Sequence, residues 1–198
     1  MEAVPLQMLS TDTADNVFLV GMMGAGKTSV AKLLARQLRK EFVDSDQEIE
    51  RRTGVRVAVI FDIEGEAGFR AREASVMREL TARRGIVLAT GGGAVLREDN
   101  RRALSENGVV VYLRATVDEL WHRTRQDKSR PLLRAADPHA KLTEIYRDRD
   151  PLYREVADLI VDTGSQSMKN LVQRLQRELA RLPGCAKVEP GIDQQSHH

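Results

Sequence analysis

The chain has 198 residues, 41% hydrophobic and 30% charged, which is enough apolar material for one packed core and too much for a chain disordered throughout. Its formal net charge of +2 speaks against a dedicated nucleic-acid binder, which carries a strong basic excess. The 14 glycines and 6 prolines follow no period, so a collagenous chain is excluded.

Residues 1–15 read as a loose leader without the basic start and apolar middle of a secretory signal. The run Asn16, Val17, Phe18, Leu19, Val20 is short, apolar and closed by Gly21, the mark of a buried parallel strand. From 27 to 40, Val30, Ala31, Leu33, Leu34 and Leu38 recur at helical spacing. Phe42 and Val43 form a second strand ending in Asp44, Ser45 and Asp46, and a polar helix then runs to a C-cap at Gly54. Residues 55–60 read two ways: Val55, Val57 and Val59 alternate like a strand, while Val57, Ile60 and Phe61 suit a helix face.

A helix is expected over 66–84, a strand over 86–89 and then Thr90, Gly91, Gly92 and Gly93. A helix over 97–107 follows, then a strand over 109–113 and a helix over 116–125. Residues 126–138 read as a loop, and 141–156 as a helix broken or kinked at Pro151. A last strand covers 159–161 and a last helix 167–182; 183–198 read as a disordered tail. That tail holds the single cysteine, Cys185, which fits a reducing compartment and reads as an inert thiol. His197 and His198 alone make no metal site. No apolar run reaches the about 20 residues of a membrane span, so the expected location is the cytoplasm.

Strands alternating with helices imply a parallel sheet covered on both faces, with ligands at the carboxyl ends of its strands. The glycine-rich and aspartate-rich turns fall at the ends of the first three strands. Gly21, Met22, Met23, Gly24, Ala25, Gly26, Lys27 and Thr28 fit the phosphate-loop pattern, between a strand and a helix as that pattern requires. Its backbone N–H groups and helix N-terminus suit phosphate oxygens, Lys27 adds a mobile charge, and the Thr28 hydroxyl suits Mg²⁺. Asp44 and Asp46, two apart in an extended segment, can both face the nucleotide and steady metal-bound water; the plainer alternative is an Asp-rich turn capping a helix.

Arg70 and Glu73, three apart on a helix, fit a surface ion pair or an arginine aimed at an anionic substrate. Three consecutive glycines cost chain entropy, and their benefit is bare backbone N–H groups and close approach to a ligand. Arg123, Arg125, Lys128, Arg130 and Arg134 are opposed only by Asp127. That loop suits a lid closing over a triphosphate better than a nucleic-acid surface, because it lacks aromatic residues for stacking. No acid ends the strands over 86–89 and 109–113, which favours a small-molecule kinase over motor ATPases and GTPases.

Assembled in this order, the motifs resemble the shikimate kinase family. The resemblance runs from about residue 16 to 182. It rests on the phosphate loop, Asp44 with Asp46, Gly65 and Glu66 with Phe69, Arg70 and Glu73, the triple glycine, Arg130 to Leu133, and Arg149 with Pro151 and Tyr153. It implies a P-loop kinase fold similar to nucleoside monophosphate kinases: one domain over 16–182, a five-stranded parallel sheet flanked by helices, and a mobile lid over about 126–138. The implied reaction moves the ATP γ-phosphoryl to the 3-hydroxyl of shikimate, with Mg²⁺ as cofactor.

The resemblance assigns roles residue by residue. Lys27, Asp46 and Arg130 would be catalytic. Gly24, Ala25, Gly26, Lys27, Thr28, Ser29, Arg123, Arg130 and Gln166 would bind ATP. Asp46, Arg70, Gly91, Gly92, Gly93 and Arg149 would bind shikimate, the two arginines holding its carboxylate. Thr28 would reach the metal directly and Asp44 through water. The resemblance also makes 55–60 helical. Partners would be ATP and shikimate alone, with no nucleic acid or membrane, and the chain a monomer. Two alternatives stay open at the level of sequence: a related kinase such as gluconate kinase, and a non-catalytic nucleotide-binding module, against which the presence of Lys27, Thr28, Asp46 and Arg130 argues.

Overall fold

A computed structural model describes residues 16–126, 135–164 and 166–182. The expected leader, tail and most of the expected lid, including Lys128, Arg130 and Arg134, lie outside the described residues. Five strands form one parallel sheet in the order β2-β3-β1-β4-β5. They are β1 (Val17–Val20), β2 (Glu41–Asp44), β3 (Ile86–Ala89), β4 (Val109–Arg114) and β5 (Leu159–Asp162). All four residues of β1 and of β3 are buried. Alternate side chains point to opposite faces, so such strands require cover on both sides. The edge strands β2 and β5 are short and partly exposed, as edges need to be to avoid pairing with another chain.

The cover is helical. Helix α1 (Lys27–Leu38) packs over β2 and β3 and against α7 (Met168–Leu179). A second group joins α2 (Ser45–Thr53), α3 (Val57–Thr81), α4 (Glu98–Asn107) and α6 (Pro138–Val156), with α5 (Val117–Thr124) packed on α6. The core between the layers is led by Phe18, Leu19, Leu34, Ile86, Leu88, Leu104 and Leu113, all fully buried. At the far end of the sheet from the phosphate loop, the buried Asn16 amide donates to the carbonyls of Arg83 and Asn107 and accepts from Ile86 N–H. One polar side chain thereby satisfies three backbone groups that would otherwise lack partners.

Several expectations change. Residues 57–60 are helical, the first turn of α3, which runs through to Thr81 with one break at Gly65 (φ 69°, ψ −177°). That backbone conformation is open to glycine and to few other residues, so α3 is two helical segments joined at a kink, with the second setting off in a new direction from Gly65. Pro151 does not end α6, which continues to Val156. The hydrogen bond that proline removes is outweighed by burial of Tyr153 and Val156 beyond it. Helix α6 also starts three residues earlier than expected, with Pro138 as its first residue and the Asp137 carboxylate accepting from Ala140 N–H, a favoured N-terminus. A 3₁₀ turn over Ala94–Leu96 was not legible in the pattern. No helix among the described residues is long and apolar enough to cross a membrane.

Candidate active site

The strand order puts the three motif-bearing turns side by side, because β2, β3 and β1 are neighbours at one side of the sheet. From β1 the chain enters the phosphate loop and then α1, whose N-cap is Gly26 at φ 89°. A residue with a Cβ is strained in that conformation. Ala25 is buried, Gly24 is half-buried and Ser29 is exposed on the first turn of α1. Lys27 is buried and its Nζ donates to the carbonyls of Gly21 and Met22 at 2.7 and 2.9 Å. The ammonium is thus kept inside the loop it serves.

Thr28 donates its hydroxyl proton to Asp44 Oδ2 at 2.7 Å. The other oxygen of Asp44 accepts from the N–H groups of Asp46 and Gln47 and caps α2. The extended segment expected to align Asp44 with Asp46 therefore ends at Asp44. Asp46 sits in the first turn of α2, and the capping role falls to Asp44. The donor set beside the phosphate loop, a hydroxyl and a carboxylate, is hard oxygen and suits Mg²⁺. Among the described residues no group of three or more His, Cys, Asp or Glu could cage a metal. These residues fit an ion held mainly by phosphates and water.

The residues expected to bind substrate meet at the triple glycine. A Cβ on Gly91 would stand 2.6 Å from Asp46 Oδ1 and 2.8 Å from Glu73 Oε1; one on Gly93 would overlap the Arg70 guanidinium. One on Gly92 would lie 3.3 Å from Met23 N of the phosphate loop and 3.8 Å from Nη1 of Arg149. The glycines therefore make room for the site's own side chains. Their backbone is not all bare: Gly91 N–H donates to Ser45 Oγ at 2.8 Å and the Gly92 carbonyl accepts from the Tyr153 hydroxyl.

Arg70 pairs with Glu73 at 2.7 Å, as the spacing allows, but not on the surface. Glu73 is fully buried and the Arg70 side chain is 12% exposed. Glu66 holds the same guanidinium from one turn earlier, at 3.0 Å. Burial alone would lower the Arg70 pKa, but these carboxylates outweigh it and keep the group charged. Glu73 titrates above the usual carboxylate range because it is buried, despite Arg70. The Asp46 carboxyl is pushed up to about 7, first by burial and then by the negative charges of Asp44 and Glu73, against the pull of Lys27 and Arg70. Asp46 Oδ1 and Glu73 Oε1 are the buried side-chain oxygens without a hydrogen-bond partner among the described residues. Unpartnered buried acceptors beside charged guanidinium groups form a socket for a ligand that brings both hydroxyls and an anion.

Arg149, on α6, is buried at 5% exposure. Arg123, on α5, donates to the Gly24 carbonyl of the phosphate loop and to Thr163 Oγ1 and the Gly164 carbonyl beyond β5. Gln166 donates to the Asp162 carbonyl in the same connection. Arg123 and Gln166, both expected to bind ATP, thus meet at the connection that follows β5, which Arg123 ties to the phosphate loop. Sequence reasoning gave no role to Ser45, Glu66 or Tyr153. A signal existed for Tyr153, four residues after Arg149 on one helix and so on the same face.

The family model described as shikimate kinase matches residues 23–180. The chain is 61% identical over 170 residues to a shikimate kinase of Chromobacterium violaceum, covering 86% of this chain and 92% of that one. A Bordetella pertussis shikimate kinase is 61% identical over 163 residues, covering 82% and 77%. Among solved structures, shikimate kinase from Acinetobacter baumannii in complex with shikimate superposes with a TM-score of 0.83 at 47% identity, over 86% of this chain and 96% of that one. A gluconokinase from Sinorhizobium meliloti superposes at 0.55 with 17% identity, over 86% and 94%, a likeness of fold alone.

Proposed function

The chain belongs to the shikimate kinase family, and on that premise we propose how its own residues carry the reaction. It is an ATP-dependent kinase that moves the γ-phosphoryl group to the 3-hydroxyl of shikimate, giving shikimate 3-phosphate and ADP in aromatic amino acid biosynthesis. In our reading Arg70 and Arg149 take the shikimate carboxylate, since planar guanidinium groups form paired, charge-assisted bonds to carboxylates. Asp46 Oδ1 accepts from the hydroxyl that attacks. As that oxygen bonds to phosphorus and the bond to the β-phosphate breaks, the hydroxyl proton passes to Asp46. Glu66 and Glu73 hold Arg70 in place.

Lys27 leaves the carbonyls of Gly21 and Met22 for the β- and γ-phosphates, where it meets charge developing in the transition state. Gly24, Ala25, Gly26, Thr28 and Ser29 line the phosphates, and Arg123 and Gln166 wall the adenine. Arg130 is assigned to the lid, over the phosphates. Thr28, with Asp44 through water, would hold Mg²⁺, which neutralises phosphate charge when bound. We propose that the enzyme works as a monomer in the cytoplasm, a reducing compartment consistent with its single cysteine.

The observation that carries this reading is the buried, unpartnered Asp46 Oδ1 beside a glycine turn that also receives Arg70 and Arg149. ADP release measured with shikimate, gluconate and a nucleoside monophosphate tests it. Shikimate alone should support turnover; equal turnover with gluconate would favour the related kinase, and none with any acceptor would favour a binding module.

A further inference from the structure

The Tyr153 phenol is fully buried, and nothing in the reaction as described uses it. Its hydroxyl donates to the carbonyl of Gly92, sixty-one residues away in sequence. Its oxygen also lies 3.7 Å from Met22 Sδ in the phosphate loop. A phenol has one proton to give and lone pairs to receive with. The carbonyl is a stronger acceptor than the thioether, so the proton goes to Gly92, where a Cβ would lie 3.8 Å from Nη1 of Arg149. Burial raises the phenol's pKa above its usual value, so it stays a neutral donor throughout the working pH range. The ring packs on Tyr112 with centroids 5.0 Å apart, which fixes its direction.

A carbonyl and the next N–H share one rigid peptide plane and point in opposite directions. No peptide bond among the described residues is cis. Holding the Gly92 oxygen therefore also sets the direction of the Gly93 N–H, at the glycine where Arg70 makes its closest approach. Glycine pairs otherwise rotate freely about this plane. We propose that Tyr153 is a positioning residue: its hydroxyl locks the Gly92–Gly93 peptide in one orientation beside Arg149, so that the Gly93 N–H and the two arginines meet the acceptor's carboxylate together. Tyr153 itself touches no substrate. The inference rests on the assignment of this turn to shikimate.

The test compares Tyr153→Phe with Tyr112→Phe in the full chain. Each removes one hydroxyl from the same aromatic pair, but that of Tyr112 donates to Asp150 and not to the glycine turn. Tyr153→Phe should raise the KM for shikimate roughly 3- to 10-fold, the range of one lost hydrogen bond, and change the KM for ATP less. Tyr112→Phe should leave the shikimate KM at its wild-type value. 4-Aminophenylalanine at position 153, which keeps a donor at the ring's end, should restore part of the loss. A wild-type shikimate KM in Tyr153→Phe, equal shifts in both variants, or failure of Tyr153→Phe to fold would overturn the inference and leave packing as the residue's role. Absence of shikimate phosphorylation by the wild type would instead overturn the assignment on which it rests.

Discussion

Asp46 Oδ1 and Glu73 Oε1, from two different helices, converge on the point where a Cβ of Gly91 would stand, and neither accepts a hydrogen bond. Two buried carboxylates facing one small space repel each other; burial raises the pKa of both, and the charge of Glu73 adds to the rise at Asp46. The arrangement persists because Arg70, charged and held by Glu66 as well, lies beside them. It is poised to be satisfied by hydroxyl donors from outside.

Gly91→Ala places a methyl group within 2.8 Å of both oxygens. Overpacking of this kind costs about 1–3 kcal/mol, and here it falls on the socket. The variant should fold, melt somewhat earlier and lose at least roughly tenfold in kcat/KM for shikimate, because misplaced reacting groups lose rate steeply. Its ADP affinity should stay near that of wild type. Melting curves, steady-state kinetics and nucleotide titration check the three parts.

Asp46 gives a pH-dependent stability with a definite sign. The folded protein holds the Asp46 proton up to about pH 7, well above the ordinary value of 3.8. The stability this contributes is fully present below the ordinary value and is lost as pH rises through the folded value. Asp46→Asn stays neutral at every pH. In the ligand-free enzyme it should therefore raise the melting temperature more at pH 8 than at pH 5, while turnover falls even at saturating shikimate. Thermal melts at the two pH values beside one rate measurement decide it; a variant that melts earlier at pH 8 would contradict the account.

Lys27→Ala removes the charge while the carbonyls of Gly21 and Met22 remain able to meet water. Folding should survive and turnover should fall by orders of magnitude, since the ammonium acts on charge that grows in the transition state. Circular dichroism with single-turnover kinetics checks this. Wild-type-like rates would remove the phosphate loop from the mechanism.

Much of this was legible because local chemistry and fold agree. The phosphate loop is one contiguous run between a strand and a helix, so its backbone geometry follows from its glycines. The triple glycine was legible as a place of close approach, but not what approaches it. That depends on α2, α3 and α6 meeting at one turn, and no local pattern encodes the meeting. The Arg70 and Glu73 spacing predicts a pair; only packing of α3 beyond the break at Gly65 makes it buried. Asp46 reaches the glycine turn by a different local route than expected, since the strand ends at Asp44 and the helix, not an extended segment, delivers it. Tyr153 went without a role because a tyrosine beside apolar helix positions reads as core, and its hydroxyl partner is sixty-one residues away.

The central claim is that this site reads a carboxylate with Arg70 and Arg149 and orients a hydroxyl with Asp46. The most direct measurement is a cycle of wild type and Arg70→Ala against shikimate and an analogue lacking its carboxylate. With shikimate, Arg70→Ala should lose about 1.5–3 kcal/mol of binding, the worth of a hydrogen bond to a charged group, and Arg70→Lys should recover only part of it because an ammonium lacks the planar fork. With the analogue, wild type should bind weakly and Arg70→Ala should lose little more. If wild type phosphorylates the analogue as well as it does shikimate, the two arginines do not read a carboxylate and the site assignment fails.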